Sequence, residues 1–192
     1  MITATRVVPP EGLDPAAFRA SLRRHPAAVA VITCARPDEP GQPAGFTATS
    51  FTSASLSPPL VSFYVSTGTA RESALRAAGH FGVNVLAEHQ EGLAGTFARR
   101  SADRFAGVDW ASGPFGVPLL AGAALRLVCR RHCAILVGDH TLFVGLVVAD
   151  HEAGEQDEAA DAGRPPLLYH DGRYGRLQPA LAPQVPAARQ AG

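Results

Sequence analysis

The sequence predicts a mostly antiparallel β-barrel with a few short helices at its periphery. The chain contains about six or seven strand-like runs, most of them joined by short turn-rich links typical of hairpins. No strand–helix–strand alternation dominates, which argues against a doubly wound sheet. The chain has 192 residues, 46% of them hydrophobic, enough for one domain with its own core. We expect that domain over residues 14–178, a flexible tail over 1–13 and a disordered tail over 179–192.

The first predicted elements are a helix and a hairpin. Asp14 offers an N-cap, Pro15 suits the first helical position, and Phe18 and Leu22 are spaced i, i+4, so a helix is predicted to about residue 24. Residues 27–35, AAVAVITCA, form a β-branched run typical of a strand. The turn-rich segment RPDEPGQP follows and predicts a hairpin into the next strand.

Residues 45–59, GFTATSFTSASLSPP, are the most informative stretch of the chain. Taken as one strand, they place Thr47 and Thr49 on one face and Ser50 and Thr52 on the other. A strand that only filled a core would carry Val or Ile on at least one face. Hydroxyls and backbone N–H groups suit a phosphate or a sugar chain. The stretch therefore predicts either a polar binding strand or an edge strand that faces water.

The middle of the chain alternates strands with short helices. LVSFYV is typical of a buried strand, and STGTARESALRAAG predicts a loop that enters a helix. Thr69 suits the N-cap of that helix, with Glu72 three residues later as in a capping box. The same helix N-terminus beside Ser66 and Thr67 also suits an anion, although capping alone is the simpler interpretation. HFGVNVLA predicts a further strand, and EHQEGLAGTFARR a helix that ends near residue 100.

The last third contains the longest strands. After a Gly- and Pro-rich segment with the single Trp110, ALRLVCRRHCAILV and HTLFVGLVVAD predict two long strands joined as a hairpin at Gly138 and Asp139. An acidic segment between residues 150 and 166 predicts a solvated loop. PLLYHDGRYGRL then predicts a short strand and a turn.

Composition and charge exclude several classes of function. The 17 basic residues, all Arg, balance 17 acidic ones, so no basic surface predicts binding to nucleic acid. The absence of Lys excludes a P-loop lysine, a pyridoxal Schiff base and a lysine general base. No G-x-G spacing marks a Rossmann dinucleotide site. No apolar run reaches the ~18 to 20 residues that span a bilayer, and we expect a cytoplasmic protein without a membrane partner.

The three cysteines predict reduced, buried thiols and no metal site. Their number is odd, and Cys34, Cys129 and Cys133 lie in strand-like surroundings. CRRHC resembles a set of metal ligands, but residues 129 and 133 of one strand lie about 13 Å apart at ~3.3 Å per residue. A tetrahedral zinc site cannot use both sulfur atoms at that separation.

Four blocks, taken together, resemble the flavin reductase family: GFTATSFTSASLSPPLVSFYV, FGVNVLAEHQEGLAGTFA, the pair DRF and GVDW, and GDHTLFVGLV. The resemblance covers residues 18–177. It implies a homodimeric, FMN-binding split β-barrel that oxidises NADH or NADPH, reduces FMN or FAD, and passes reduced flavin to a partner flavin-dependent monooxygenase. Which flavin and which nicotinamide are used stays open.

The resemblance also assigns site residues. It places flavin contacts on the hydroxyl-rich stretch and at three further positions: Thr47, Ala48, Thr49, Ser50, Phe51, Ser53, Ala54, Thr69, Phe97 and Arg99. His140, in GDH, matches a position on the nicotinamide side of the flavin and is the candidate catalytic residue, with Tyr174 near the same site. Residues 67–70, TGTA, contain no lysine, so Arg99 or Arg100 is expected to neutralise the flavin phosphate.

Two alternatives remain at this stage. A split-barrel carrier or sensor would bind flavin without consuming NADH. An oxidase similar to the pyridoxamine phosphate oxidases would share the barrel, but that group relies on basic phosphate-binding residues, and the Lys-free sequence with its GDH block disfavours it.

Overall fold

The structure is a computed structural model that describes residues 12–37, 39, 41–99, 103–150 and 164–178. Both predicted tails, apart from residues 12 and 13, and most of the predicted acidic loop lie outside these residues. Within them the chain forms three α-helices and twelve strands. The helices are α1 Pro15–Leu22, α2 Ala70–Ala77 and α3 Glu91–Ala98. The strands are β1 Ala27–Ala28, β2 Ala30–Ala35, β3 Pro43–Ala48, β4 Thr52–Leu56, β5 Pro59–Ser66, β6 His80–Val85, β7 Trp110–Ser112, β8 Pro118–Leu120, β9 Leu125–Val137, β10 His140–Asp150, β11 Leu168–His170 and β12 Arg173–Gly175.

Seven strands form one antiparallel sheet in the order β3-β2-β6-β9-β10-β5-β4. The two edge strands, β3 and β4, follow each other in the chain. The four steps from Ala48 to Thr52 reach at most about 14 Å, whereas seven flat strands would be about 29 Å wide. The sheet must therefore curl until its edges meet, which agrees with the predicted mostly β, barrel-like architecture.

The prediction of a single strand over residues 45–59 is wrong. Strand β3 ends at Ala48 and β4 begins at Thr52, so the alternation of faces breaks at the three-residue bend between them. At the bend, the Ser50 hydroxyl accepts a hydrogen bond from the Tyr64 backbone N–H (3.0 Å). The Tyr64 N–H thus bonds to a side chain where a regular strand would offer a backbone carbonyl. The strand is therefore interrupted at the point where the two edges of the sheet meet.

The other sequence-based predictions of elements agree more closely with the structure. The run 27–35 divides at Val29, because β1 pairs with β11 whereas β2 pairs with β3 and β6. The β2–β3 hairpin and the long β9–β10 hairpin form as predicted, and Gly138 supplies a φ of +60° at the turn of the second.

Two hydrophobic clusters fill most of the interior of the described chain, beside a third that contains only Val117, Leu119 and Val128. In the larger one, Phe63 stacks on Phe143 with ring centroids 5.7 Å apart and meets the edge of Phe81 at 5.2 Å. Gly145 of β10 permits this packing, because an added Cβ would overlap the Phe81 ring. The smaller cluster contains the buried Phe97 and attaches α3 to the outside of the sheet.

The helices are short and lie at the periphery, as predicted. The Asp14 carboxylate caps α1 by accepting from the backbone of Ala16 and Ala17. Thr69 caps α2 by accepting from the Glu72 backbone N–H at 3.3 Å. Among the helices that the structure describes, none is both long and apolar enough to span a bilayer.

Candidate active site

A cavity of about 300 Å³ lies where the two edges of the sheet meet, and we call it the strand cavity. It is bordered by the end of β3, the bend that follows, the end of β5, the start of α2 and the start of β10. Six predicted site residues line it: Thr47, Ala48, Thr49, Ser50, Thr69 and His140. The other lining residues are Phe46, Tyr64, Val65, Ser66 and Arg71.

The hydroxyls of the bend divide into two groups. Thr47 donates to the Ala94 carbonyl of α3 (2.7 Å), and Ser50 accepts from the Tyr64 N–H and lies 3.5 Å from the Tyr64 carbonyl. These two side chains hold the bend against α3 and β5. Thr49, by contrast, is exposed at the cavity. It is therefore the bend hydroxyl best placed to meet a ligand.

His140 is oriented from both sides of its ring. Its Nδ1 lies 2.7 Å from Asp139 Oδ1, and its Nε2 lies 3.3 Å from Ser66 Oγ. The hydrogen bond and the charge of His140 hold the pKa of the Asp139 carboxyl below its usual value. A carboxylate beside Nδ1 favours the tautomer that carries hydrogen there, so in the neutral ring Nε2 is an acceptor at the cavity.

A buried carboxylate below the cavity links α2 to β10. Glu72, only 6% exposed, accepts from the Gly68 N–H (2.6 Å), the Thr141 hydroxyl (2.7 Å) and Arg76 Nε (2.9 Å). These bonds lower the pKa of Glu72 from its ordinary value of 4.5, with the Thr141 hydroxyl as the largest cause. In the predicted capping box the Glu72 carboxylate would accept from the Thr69 N–H, whereas in the structure it accepts from the N–H of the preceding residue, Gly68. Glu72 thus fixes the turn before α2 to the strand that begins with His140.

Three predicted flavin contacts next to the bend do not line the strand cavity. Phe51 is half-buried and packs against the larger core cluster. Ser53 and Ala54 are exposed on the edge strand β4. They follow the bend in sequence, but they lie on β4 and are not among the residues that line the cavity with Thr49.

Phe97, Arg99 and Tyr174 also lie elsewhere. Phe97 is fully buried, with its ring 5.0 Å from and edge-on to Phe105, and it packs behind Gly45 of β3. Arg99 is exposed at the end of α3. Tyr174 of β12 packs edge-on against Tyr169 at 5.4 Å, and burial raises its pKa. Phe97 and Tyr174 pack against other aromatic side chains, Arg99 lies at the surface, and none of the three lines the strand cavity.

The basic residue at the strand cavity is Arg71, which the sequence analysis did not select. Its guanidinium lies over the Phe46 ring, 5.8 Å from the centroid, and both residues line the cavity. Arg99 does not line it, and Arg100 lies outside the described residues. The available signal was the position of Arg71, two residues after the Thr69 cap, where a first-turn side chain lies beside the helix N-terminus.

The CRRHC segment is part of β9 and has no feature of a metal site. Cys129 is buried, and burial raises the pKa of its thiol to about 12, whereas His132 is exposed. All three cysteines are free thiols. In the described part of the chain, no three His, Cys, Asp or Glu side chains are grouped closely enough to hold a metal ion.

The chemistry of the strand cavity suits a phosphorylated aromatic ligand. The exposed Thr49, the Thr69 cap and Arg71 provide polar and positive groups for a phosphate, and Phe46 and Val65 provide apolar wall for a ring system. A curled antiparallel sheet with such a cavity at its meeting edges is the architecture of a split-barrel protein.

Comparison with known proteins identifies the family. Residues 22–178 match the model of the flavin reductase like domain. The chain therefore belongs to the flavin reductase family, as the sequence resemblance predicted.

Relatives and solved structures of the same family are similar over most of this chain. The NADH:FMN oxidoreductase of Rhodococcus erythropolis is 47% identical over 163 residues, which are 84% of this chain and 81% of the relative. The reductase subunit HsaB of a flavin-dependent monooxygenase from Rhodococcus jostii is 34% identical, covering 93% of this chain and 86% of its own. The structure of the NADH:FAD oxidoreductase SgcE6 of Streptomyces globisporus, in complex with NAD and FAD fragments, is 36% identical with a TM-score of 0.77. It covers 93% of this chain and 100% of its own.

Proposed function

We propose that this protein is an NAD(P)H:flavin oxidoreductase that supplies reduced FMN or FAD to a partner monooxygenase. The observation that carries the proposal is the strand cavity, where Thr49, Thr69 and Arg71 lie at the same opening as His140. The relatives named NADH:FMN oxidoreductase and monooxygenase reductase subunit support it.

The residues of the cavity divide the work of binding. Thr49, the N-terminus of α2 that Thr69 caps, and Arg71 hold the phosphate and the polyol chain of the flavin, because an exposed hydroxyl, a helix N-terminus and a guanidinium all favour an anion. When bound, the flavin supplies the chemistry by accepting a hydride from NAD(P)H together with a proton. The protein needs no strong acid or base for this transfer, and its contribution is to hold the two ring systems in register.

His140 shapes the side at which the nicotinamide enters. Asp139 and Ser66 fix the imidazole on both edges, so the ring presents a constant surface to the cavity. Glu72 in turn holds the backbone on either side of this pair, through Gly68 and Thr141. We assign His140 to nicotinamide positioning and Glu72 to support of that position.

We also propose a cytoplasmic homodimer. Large apolar side chains are exposed on two hairpins, with Leu56 of β4 92% exposed and Leu136 of β9 65% exposed. Leu136 stands between Ile135 and Val137, which are also exposed, and a run of exposed apolar residues of this kind favours a protein interface. The three free thiols are consistent with a reducing compartment.

The proposal is tested by the loss of NADH ultraviolet absorbance with purified protein, with NADH or NADPH, and with FMN, FAD or no added flavin. We expect rapid oxidation that requires flavin and saturates with flavin concentration. Flavin binding without oxidation of either nicotinamide would contradict the proposal and favour the carrier alternative.

A further inference from the structure

A second cavity, of about 600 Å³, adjoins the strand cavity, and we call it the hairpin cavity. It lies between the turn of the β2–β3 hairpin, the exposed side of α2 and the segment that contains Arg104 and Phe105. Both cavities are lined by Phe46, Ser66, Thr69 and Arg71. Because they share these walls, the two cavities lie side by side at Thr69 and Arg71.

The shared wall is the phosphate end of the proposed flavin site. Thr69 caps α2, and Arg71 supplies the positive charge there. FAD differs from FMN only by an adenylate group attached through this same phosphate. A substituent on the phosphate of a flavin bound in the strand cavity would therefore extend into the hairpin cavity. His140 borders only the strand cavity, so the nicotinamide enters at the other end.

The lining of the hairpin cavity suits a purine nucleotide. Ile32, Leu75 and Phe105 are buried and supply apolar wall for a flat ring. Arg36 forms an ion pair with Glu39 (2.6 Å) at the rim, and Arg104 donates to the Arg99 carbonyl (2.9 Å) with the rest of its guanidinium group near the cavity. Three arginines against two carboxylates, Glu39 and Asp103, give the lining a net charge of +1. Because Arg71 is assigned to the first phosphate and Arg36 pairs with Glu39, Arg104 is the arginine of this lining that we assign to a second phosphate.

The sizes of the cavities point in the same direction. Sites for drug-sized ligands and cofactors enclose about 300 to 1,000 Å³. The strand cavity alone, at about 300 Å³, stands at the lower limit of this range, and the adjoining hairpin cavity has about 600 Å³. We propose that the hairpin cavity binds the adenylate half of FAD, so that FAD is a better substrate than FMN. This inference rests on the proposed function, because it takes the strand cavity as the flavin site.

The test compares kcat/KM for FAD with kcat/KM for FMN in the same preparation. Gln42 is exposed in the hairpin turn and lines only the hairpin cavity, and its backbone alone bonds to Arg36 and Glu39. Gln42→Trp should fill the cavity and lower the FAD-to-FMN ratio about ten-fold or more, as expected for loss of a bound nucleotide half. Gln42→Ala, which adds no volume, should keep the ratio of the wild-type protein.

A second variant, at a different position, tests the same site in case Gln42→Trp disturbs the fold of the hairpin turn. Arg104→Glu places a carboxylate where the adenylate phosphate is expected and should lower the same ratio. A wild-type protein that reduces FMN but not FAD, or variants that leave the ratio unchanged, would overturn the adenylate site and leave the proposed function intact. A protein that oxidises NADH with neither flavin would instead contradict the proposed function itself.

Discussion

Individual side chains at the strand cavity either build the site or face its ligand. The Thr47 hydroxyl donates to the Ala94 carbonyl, and the Ser50 hydroxyl accepts from the Tyr64 N–H, so these two side chains stabilise the bend. Thr49 and His140 remain at the opening. Substitutions of the first pair should therefore disturb structure and binding together, whereas substitutions of the second pair should affect binding with little change in stability.

Thr49→Val removes the exposed hydroxyl and keeps the shape of the side chain. Loss of a hydrogen bond to a charged phosphate should weaken flavin binding by about 1.5 to 3 kcal/mol, roughly 10- to 150-fold. The dissociation constant is measured by quenching of flavin fluorescence. Thr52→Val is the matched control, since Thr52 is also exposed but lies on β4 outside the cavity. Flavin affinity equal to that of the wild-type protein in Thr49→Val would remove Thr49 from the site.

His140→Ala should raise the KM for the nicotinamide or lower turnover while flavin affinity stays nearly constant, because the ring borders the nicotinamide side alone. Steady-state kinetics at saturating flavin, together with a flavin titration, separate the two effects. His132→Ala provides a control at an exposed histidine of β9 that lines neither cavity. Unaltered kinetics in His140→Ala would exclude the assigned role.

At this scale, residues that belong to one sequence motif lie together in the structure, and their roles stay predictions. The GDH block and the TATS stretch predicted His140, Thr49 and their neighbours, and these do line one cavity. Arg71 and Glu72 were not predicted as site residues, because their roles depend on contacts with Phe46 and Thr141, which are distant in sequence. Phe97 was assigned from its place in a motif, and only the packing against Gly45 and Phe105 shows that it is a core residue.

At the scale of elements, the site depends on how α2 is attached to β10. Glu72 bonds to the turn before α2 and to Thr141, and Thr67 donates its backbone N–H to the Asp139 carbonyl (3.1 Å). The turn before α2 and the turn before β10, which both border His140, are thus joined by the Glu72 carboxylate and by a backbone hydrogen bond. A buried carboxylate with several donors is sensitive to removal of its charge.

Glu72→Gln tests this attachment through the pH dependence of stability. The pKa of Glu72 is lowered below 4.5 in the folded protein, so the folded state binds fewer protons than the unfolded state. The stabilisation is therefore complete above the unfolded pKa and is lost as pH falls through the folded pKa. Urea unfolding should show the largest difference between wild type and Glu72→Gln at neutral pH, and a shrinking difference below 4.5. Glu91→Gln, at an exposed position of α3, is the control. A difference that does not change with pH would contradict this role of the carboxylate.

The elements that the sequence predicted well were the ones with strong local signals. The Asp14–Pro15 start of α1, the Thr69 cap of α2 and the Gly138 turn of the long hairpin all match the structure. The divisions at Val29 and at the 49–51 bend were missed, because neither has a breaking residue. Pairing with distant strands and the Ser50 bond to Tyr64 cause these interruptions.

At the scale of the whole molecule, curling of the sheet creates the site. The edge strands β3 and β4 meet at the bend, and both cavities lie along the β3 edge. The hairpin-like links between strands and the absence of strand–helix–strand alternation were enough to predict the barrel class. The order of the strands, which places consecutive β3 and β4 at opposite edges, had no local signal in the sequence.

The proposed homodimer predicts a molar mass in solution of about twice the 20.0 kDa of the chain. Light scattering after size-exclusion chromatography measures it. The double variant Leu56→Asp and Leu136→Asp should shift the protein toward the monomer, because a charge replaces each exposed apolar side chain. Thr52→Asp, an exposed polar position of β4, is the control. A monomeric wild-type protein would rule out the dimer.

The most direct test of flavin reduction at the strand cavity is an anaerobic mixing experiment that follows NADH absorbance and oxidised-flavin absorbance together. With the wild-type protein, we expect both signals to fall at the same rate and in equal molar amounts, and His140→Ala to slow both. Loss of NADH absorbance without bleaching of the flavin, or no loss of either while flavin is bound, would contradict hydride transfer to flavin at this site.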